Sequence, residues 1–205
     1  HAIHADSMKW VEEGWVDYIV PQLYWHIGFD RADYAVLLPW WREVTAGTGV
    51  QLYVGEADYR VGQGGPWDDP GELVRHLAMG RSERVDGWVH FRATSVAADT
   101  LGAQTRYRED FYARPALVPV MEQLPGTPPA APQAVVAEPA GDRMELRWSP
   151  AAGAARYAVY RVDGAQAYLV GVTADPSFTG PAGRYCVSGL DRLWNEGPVS
   201  APATG

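Results

Sequence analysis

Three short apolar runs in the first half of the chain each end in a cluster of polar or aromatic side chains, and these clusters hold the residues whose types could do chemistry. Gln22, Tyr24, Trp25 and His26 follow the run DYIVP, Glu56, Asp58, Tyr59 and Arg60 follow VQLYV, and Arg92 follows VDGWVHF. Glu56 is the carboxylate best placed to act as a catalytic acid or base, with Asp58 two residues on. The alternative for Glu56 is a solvated loop acid or an ion pair with Arg60 or Arg92. Gln22 and Tyr24 alternate along extended chain, so both face one way, and an amide beside a phenol suits paired hydrogen bonds to hydroxyl groups. Gln22 could equally satisfy a neighbouring strand. Trp25, Tyr59 and Trp67 offer ring faces on which a sugar could stack, or they pack a loop onto the rim of the fold. His26 can titrate near neutrality as an acid or base, or can be a hydrogen-bonded rim residue. Arg92 can orient a carboxylate or acetamido group, or pair with Glu56.

The elements that must position these residues read as strands followed by helices. Residues 16–20, 50–54 and 85–91 are too short and too rich in β-branched and aromatic residues for helices, and they suit buried strands of a parallel sheet. Helical spacing occupies residues 7–13, 32–45, 71–84 and about 100–112, with Pro39 restarting or kinking the second helix and Pro70 placed to open the third. Ligand sites in such α/β arrays gather at the carboxyl ends of the strands. Three strand-then-helix units argue for part of a (β/α)8 barrel, since a whole one needs about 250 residues. The fold class expected is therefore α/β plus all-β. Residues 1–122 are the last three strand-helix units of a (β/α)8 barrel, residues 123–133 a Pro-rich extended linker, and residues 134–205 a small β-sandwich. The first strand should have an unpaired edge, and the isolated chain should aggregate through it.

Composition narrows the partners. The chain has 205 residues with 47% hydrophobic content, enough for real cores. Its net charge of −8 is uneven, −7 over residues 1–133 and −1 over residues 134–205. An acidic first part disfavours nucleic acid, whose phosphates need a cationic surface. No apolar run approaches the ~20 residues that span a bilayer. The single cysteine, Cys186, excludes an internal disulfide and a cysteine-rich metal site. His1, His4, His26, His76 and His90 lack metal-ligand spacing, and no phosphate or dinucleotide loop is present, so no metal and no cofactor is expected. Because the chain begins with histidine, a longer parent protein is expected.

DYIVPQLYWHIGF, the pair Trp40 and Trp41, LYVGEADYRVG and VDGWVHFRATS, in this order, resemble the bacterial glycosyl hydrolase-like family 10. The resemblance covers about residues 8–112. It implies a (β/α)8 barrel in an extracytoplasmic protein that is secreted, periplasmic or attached to the cell envelope, and a hydrolase of polysaccharide such as peptidoglycan glycan strands. The family's carboxylate-rich motif at the end of an earlier strand is absent from these residues. The principal acids are accordingly expected upstream, the fragment alone is expected to be inactive, and an uncharged residue often standing at the position of Glu56 weakens its catalytic reading. ELRWSP, ARYAVYRVDG and GRYCVSGLDRLWNEGPVS resemble a fibronectin type III domain, with Trp148 as core tryptophan and Tyr185 as corner tyrosine. The reading from a different class is a non-catalytic glycan-binding or cell-surface scaffold protein that keeps the barrel without its acids.

Overall fold

A computed structural model describes residues 5–204, and its chain divides into two compact units, His1–Ala113 and Arg114–Gly205. The first unit runs α1 (Ser7–Glu12), β1 (Tyr18–Ile19), α2 (Tyr34–Thr45), β2 (Gln51–Glu56), α3 (Glu72–Ser82), β3 (Gly87–His90), α4 (Ala93–Ala98) and α5 (Ala103–Phe111). Its three strands form a parallel sheet in the order β1-β2-β3. Both β1 and β3 are edges among the described residues.

Strand alternation splits the sheet into two unlike faces. Leu52, Val54 and Glu56 of β2 are buried, and Val54 packs with Leu23 and with Tyr34 and Leu38 of α2. Trp88 of β3 lies against α3 so closely that a Cβ on Gly80 would come within 2.8 Å of its ring. The opposite face carries Tyr18 and Tyr53, edge to face at 5.7 Å, together with Val89 and Phe91, which are 49% and 48% exposed. Helices thus cover one face, and the other is open and aromatic. Asp33 caps α2 by accepting from Ala35 N at 2.9 Å, and Pro39 sits inside that helix without ending it.

The second unit is a β-sandwich. One antiparallel sheet is ordered β10 (Ala203–Thr204), β9 (Arg184–Leu190), β6 (Arg156–Asp163), β7 (Gln166–Thr173), and the other is β4 (Gln133–Ala140), β5 (Arg143–Ser149), β8 (Ser177–Pro181). Met144, Leu146 and Trp148 alternate inward along β5 to meet Tyr157, Val159, Tyr185 and Val187. Trp148 and Tyr157 meet edge to face at 5.2 Å, and the Tyr185 hydroxyl donates back to the carbonyl of Pro181. Tyr185→Phe should therefore cost about 0.5–1.5 kcal/mol, the net value of one hydrogen bond, read as a lowered denaturation midpoint of this unit. Residues 126–129 lie against the sandwich. Thr127 N donates to Asp191 Oδ2 at 3.2 Å, and a Cβ on Gly197 would stand 2.0 Å from the Pro129 carbonyl oxygen, so only glycine fits there.

Candidate functional site

The carboxyl end of the parallel sheet brings together four of the residues singled out above or their neighbours. The chain leaving β1 continues along β2 through a bridge between Gln22 and Gly55, with Leu23 N donating to Gly55 O at 3.2 Å. A Cβ on Gly55 would lie 3.2 Å from Pro21 O and 3.4 Å from Tyr24 Cε1, so the bare glycine is what lets Tyr24 cross over β2. The Tyr24 ring then meets Tyr59 at 5.9 Å and Phe91 at 6.2 Å, and Tyr59 meets Phe91 at 6.1 Å. This aromatic triangle is assembled from the ends of all three strands. Gln22 is exposed beside it. Burial, reinforced by Tyr59, Glu56 and Asp58, raises the Tyr24 pKa, so its hydroxyl stays neutral and can both donate and accept.

Residues 1–70 match the family model described as Glycosyl hydrolase-like 10. Over 98% of its length the chain is 34% identical to glycosyl hydrolase YngK of Bacillus subtilis, and it spans 44% of that protein. It is 47% identical over 60 residues to glycosyl hydrolase DigH of Escherichia coli K12, a stretch covering 29% of this chain and 14% of that one. The chain therefore spans less than half the length of the curated relatives it matches. Among solved structures, an Fn3-like protein from Clostridium thermocellum aligns with 38% of this chain and 91% of its own, at 25% identity and a TM-score of 0.33. The triangle's Tyr24 and Tyr59 both lie inside the glycosyl hydrolase-like 10 segment, whereas Phe91 follows it.

Within that segment the structure corrects the expectation for Glu56. Its side chain is wholly buried, and it accepts from Tyr34 Oη at 2.8 Å and pairs with His76 Nδ1 at 2.9 Å. A group without solvent access cannot touch a substrate. The reason is register: β2 extends two residues further than its apolar run, Glu56 pairs with His90, and alternation turns it into the helix layer. Asp58 is buried too. It accepts from Tyr107 Oη at 2.9 Å and Gln104 Nε2 at 3.3 Å and pairs with His90 Nδ1 at 2.9 Å. Neither acid forms the ion pair with Arg60 or Arg92 that stood as the alternative for Glu56.

The other named residues scatter. Trp67 is 6% exposed and packs with Leu73, Leu77 and Tyr107, so it has no free face for stacking, and the flanking glycines of its loop concealed a core residue. Trp25 is 37% exposed and keeps its ring available. His26 donates Nδ1 to Ile27 O at 2.8 Å and meets Phe29 edge to face, which is rim packing. Arg92 is exposed at the start of α4. Sequence reasoning missed Phe91, Tyr34, Glu72 and His76. Away from the triangle, a cleft of about 480 Å³ is lined by His90, Asp99, Gln104, Tyr107, Arg108 and Tyr112, and none of the residues first proposed as ligand contacts borders it. Among the described residues no group of three or more His, Cys, Asp or Glu could hold a metal ion, and His1 and His4 lie outside them. No helix among them is long and apolar enough to cross a membrane.

Proposed function

We propose that this chain is the C-terminal part of a glycoside hydrolase-like protein acting on polysaccharide, with peptidoglycan glycan strands as the substrate class. In this reading the first unit is the last three strand-helix units of a (β/α)8 barrel, the sandwich is a spacer, and the protein works outside the cytoplasm. The observation that carries it is the triangle of Tyr24, Tyr59 and Phe91 at the carboxyl end of a parallel sheet, on the face that helices leave open. Barrel enzymes place their sites at that end, and neutral aromatic platforms beside an exposed amide suit sugar rings. Glycoside hydrolysis ordinarily uses two carboxyl groups at separations of about 5 to 9.5 Å. Glu56 and Asp58 are buried in the helix layer, so in this reading those acids are supplied by other parts of the longer protein.

The burial of both acids also favours a second reading, a glycan-binding scaffold without catalysis. A longer protein that binds the oligosaccharide and never cleaves it would decide for the scaffold. Tyr24→Ala should weaken binding of a peptidoglycan-type oligosaccharide by about 1–3 kcal/mol through the lost ring and hydroxyl. Tyr168→Ala in the sandwich should leave binding unchanged. Isothermal titration of both variants, with melts to verify folding, tests this. Binding lost in the sandwich variant and kept in Tyr24→Ala would move the glycan site to the second unit.

A further inference from the structure

Beneath the loop that carries Tyr24 and Trp25 lies a buried charged cluster to which five parts of the chain contribute. His76 of α3 is fully buried, stacked on Tyr34 of α2 at 3.6 Å and met edge-on by Trp67 at 6.0 Å. Its Nδ1 lies 2.9 Å from Glu56 Oε2, and its Nε2 lies 3.2 Å from Glu72 Oε1. That same Glu72 oxygen accepts the backbone N–H of Ile27 at 2.7 Å, a link across 45 residues of sequence. The other Glu72 oxygen takes the Arg75 guanidinium, which also pairs with Asp69 at 2.8 Å. The loop is held a second time where Gly28 N donates to Asp33 Oδ1 at 2.9 Å.

Carboxylate oxygens only accept, so each ring nitrogen of His76 faces an atom that wants a proton. An imidazolium supplies both N–H groups. A neutral imidazole supplies one, and a carboxylate is left against a lone pair. At Nε2 that carboxylate oxygen is the one that holds the loop.

We propose that Glu72 and His76 are positioning residues that fix the loop of residues 22–29 over the carboxyl end of the sheet, and that the loop loosens with rising pH as His76 gives up its imidazolium proton. The proposal rests on the glycan reading only for what the loop would grip, since its anchoring involves no ligand. The titratable and charged groups facing His76 are Glu72 on its own helix, Glu56 from β2 and Tyr34 from α2, with Arg75 and Asp69 beyond Glu72. Burial alone would lower the His76 pKa, and the hydrogen bonds to Glu56 and Glu72 outweigh it and raise the pKa above the ordinary 6.5. The anchor is therefore complete between 4.5 and 6.5 and fades as pH climbs through the raised value.

Hydrogen exchange read by mass spectrometry on the full chain tests this without a ligand. After correction for base catalysis, the segment 22–29 should exchange about tenfold faster at about pH 9 than at about pH 6, while β6 of the sandwich keeps its protection. Glu72→Leu should expose the segment at every pH. Glu72→Gln sets one amide oxygen against both Ile27 N and His76 Nε2 and its NH2 against Arg75, so the segment should loosen at lower pH than in the wild type, because His76 loses an anionic partner. A flat wild-type profile overturns the proposal, as does wild-type protection of the segment in folded Glu72→Leu. Should Glu72→Leu unfold the first unit, contrast between the wild-type and Glu72→Gln profiles decides. Failure of Tyr24→Ala to alter oligosaccharide binding would sink the assignment of the glycan site to the triangle and leave this result standing.

Discussion

His76→Leu should destabilise the first unit by about 3–5 kcal/mol, because it removes the partner of two buried carboxylates without removing the carboxylates. Glu56 is wholly enclosed, and Glu72 is 3% exposed. Glu56 would keep the Tyr34 hydroxyl, and Glu72 would keep Ile27 N and Arg75, so Glu56 is the more severely stranded. Leucine fills much of the imidazole volume, which separates the electrostatic loss from a cavity. Urea denaturation of the full chain, with exchange protection assigning the transition of each unit, reads the effect. The sandwich midpoint serves as the internal reference and should not move. A first-unit shift below about 1 kcal/mol would mean that the two carboxylates find other partners or take up protons.

The same cluster gives the first unit a stability that depends on pH from both sides. Burial would raise the Glu72 pKa, but His76, Ile27 N and Arg75 outweigh it and lower it from 4.5 to about 2. A depressed carboxyl contributes stability that is present above 4.5 and lost as pH falls toward 2. His76 runs oppositely, since its raised pKa contributes stability that is whole below 6.5 and lost as pH rises through the folded-state value. The first unit should therefore be most stable between 4.5 and 6.5, and His76→Leu should flatten the alkaline limb.

Much of this was legible. The three apolar runs became three parallel strands, and the alternation of Gln22 and Tyr24 placed them together over β2. The end of β2 was not legible, because Gly55 and Glu56 have low strand propensity and read as loop. That small error in length put Glu56 in solvent when alternation buries it. The signal for the cluster lay in α3, where Glu72 and His76 stand four residues apart and alternate with Leu73 and Leu77 on the buried face. A charged pair sharing a helix face with two buried leucines must find buried partners. Trp67 was hidden by QGGP, whose polarity and glycines describe the backbone of its loop and not the tryptophan's fate. β8, SFTGP, carries glycine and proline in a five-residue strand and so lacked a strand signature.

The second large effect is expected at Asp58. Its carboxylate gathers Tyr107 Oη, Gln104 Nε2 and His90 Nδ1, three groups from α5 and β3, and Gln104 Oε1 is buried without a hydrogen-bond partner. Asp58→Leu would leave the Tyr107 hydroxyl and the whole Gln104 amide unpaired inside the fold, at about 1–3 kcal/mol for each stranded group. A total of about 2–6 kcal/mol is expected for the first unit, read in the same urea titration. Asp58→Asn keeps one acceptor oxygen and should cost distinctly less. The effect should also reach the candidate site, because Asp58 opens the 3₁₀ turn Asp58–Arg60 that sets the Tyr59 ring against Tyr24 and Phe91. Under conditions where folded Asp58→Asn still populates the native state, oligosaccharide affinity should fall with the disturbed triangle. Normal stability in Asp58→Leu would show that the α5 contacts are dispensable. Normal affinity in a destabilised Asp58→Asn would show instead that Tyr59 is held by its ring neighbours alone.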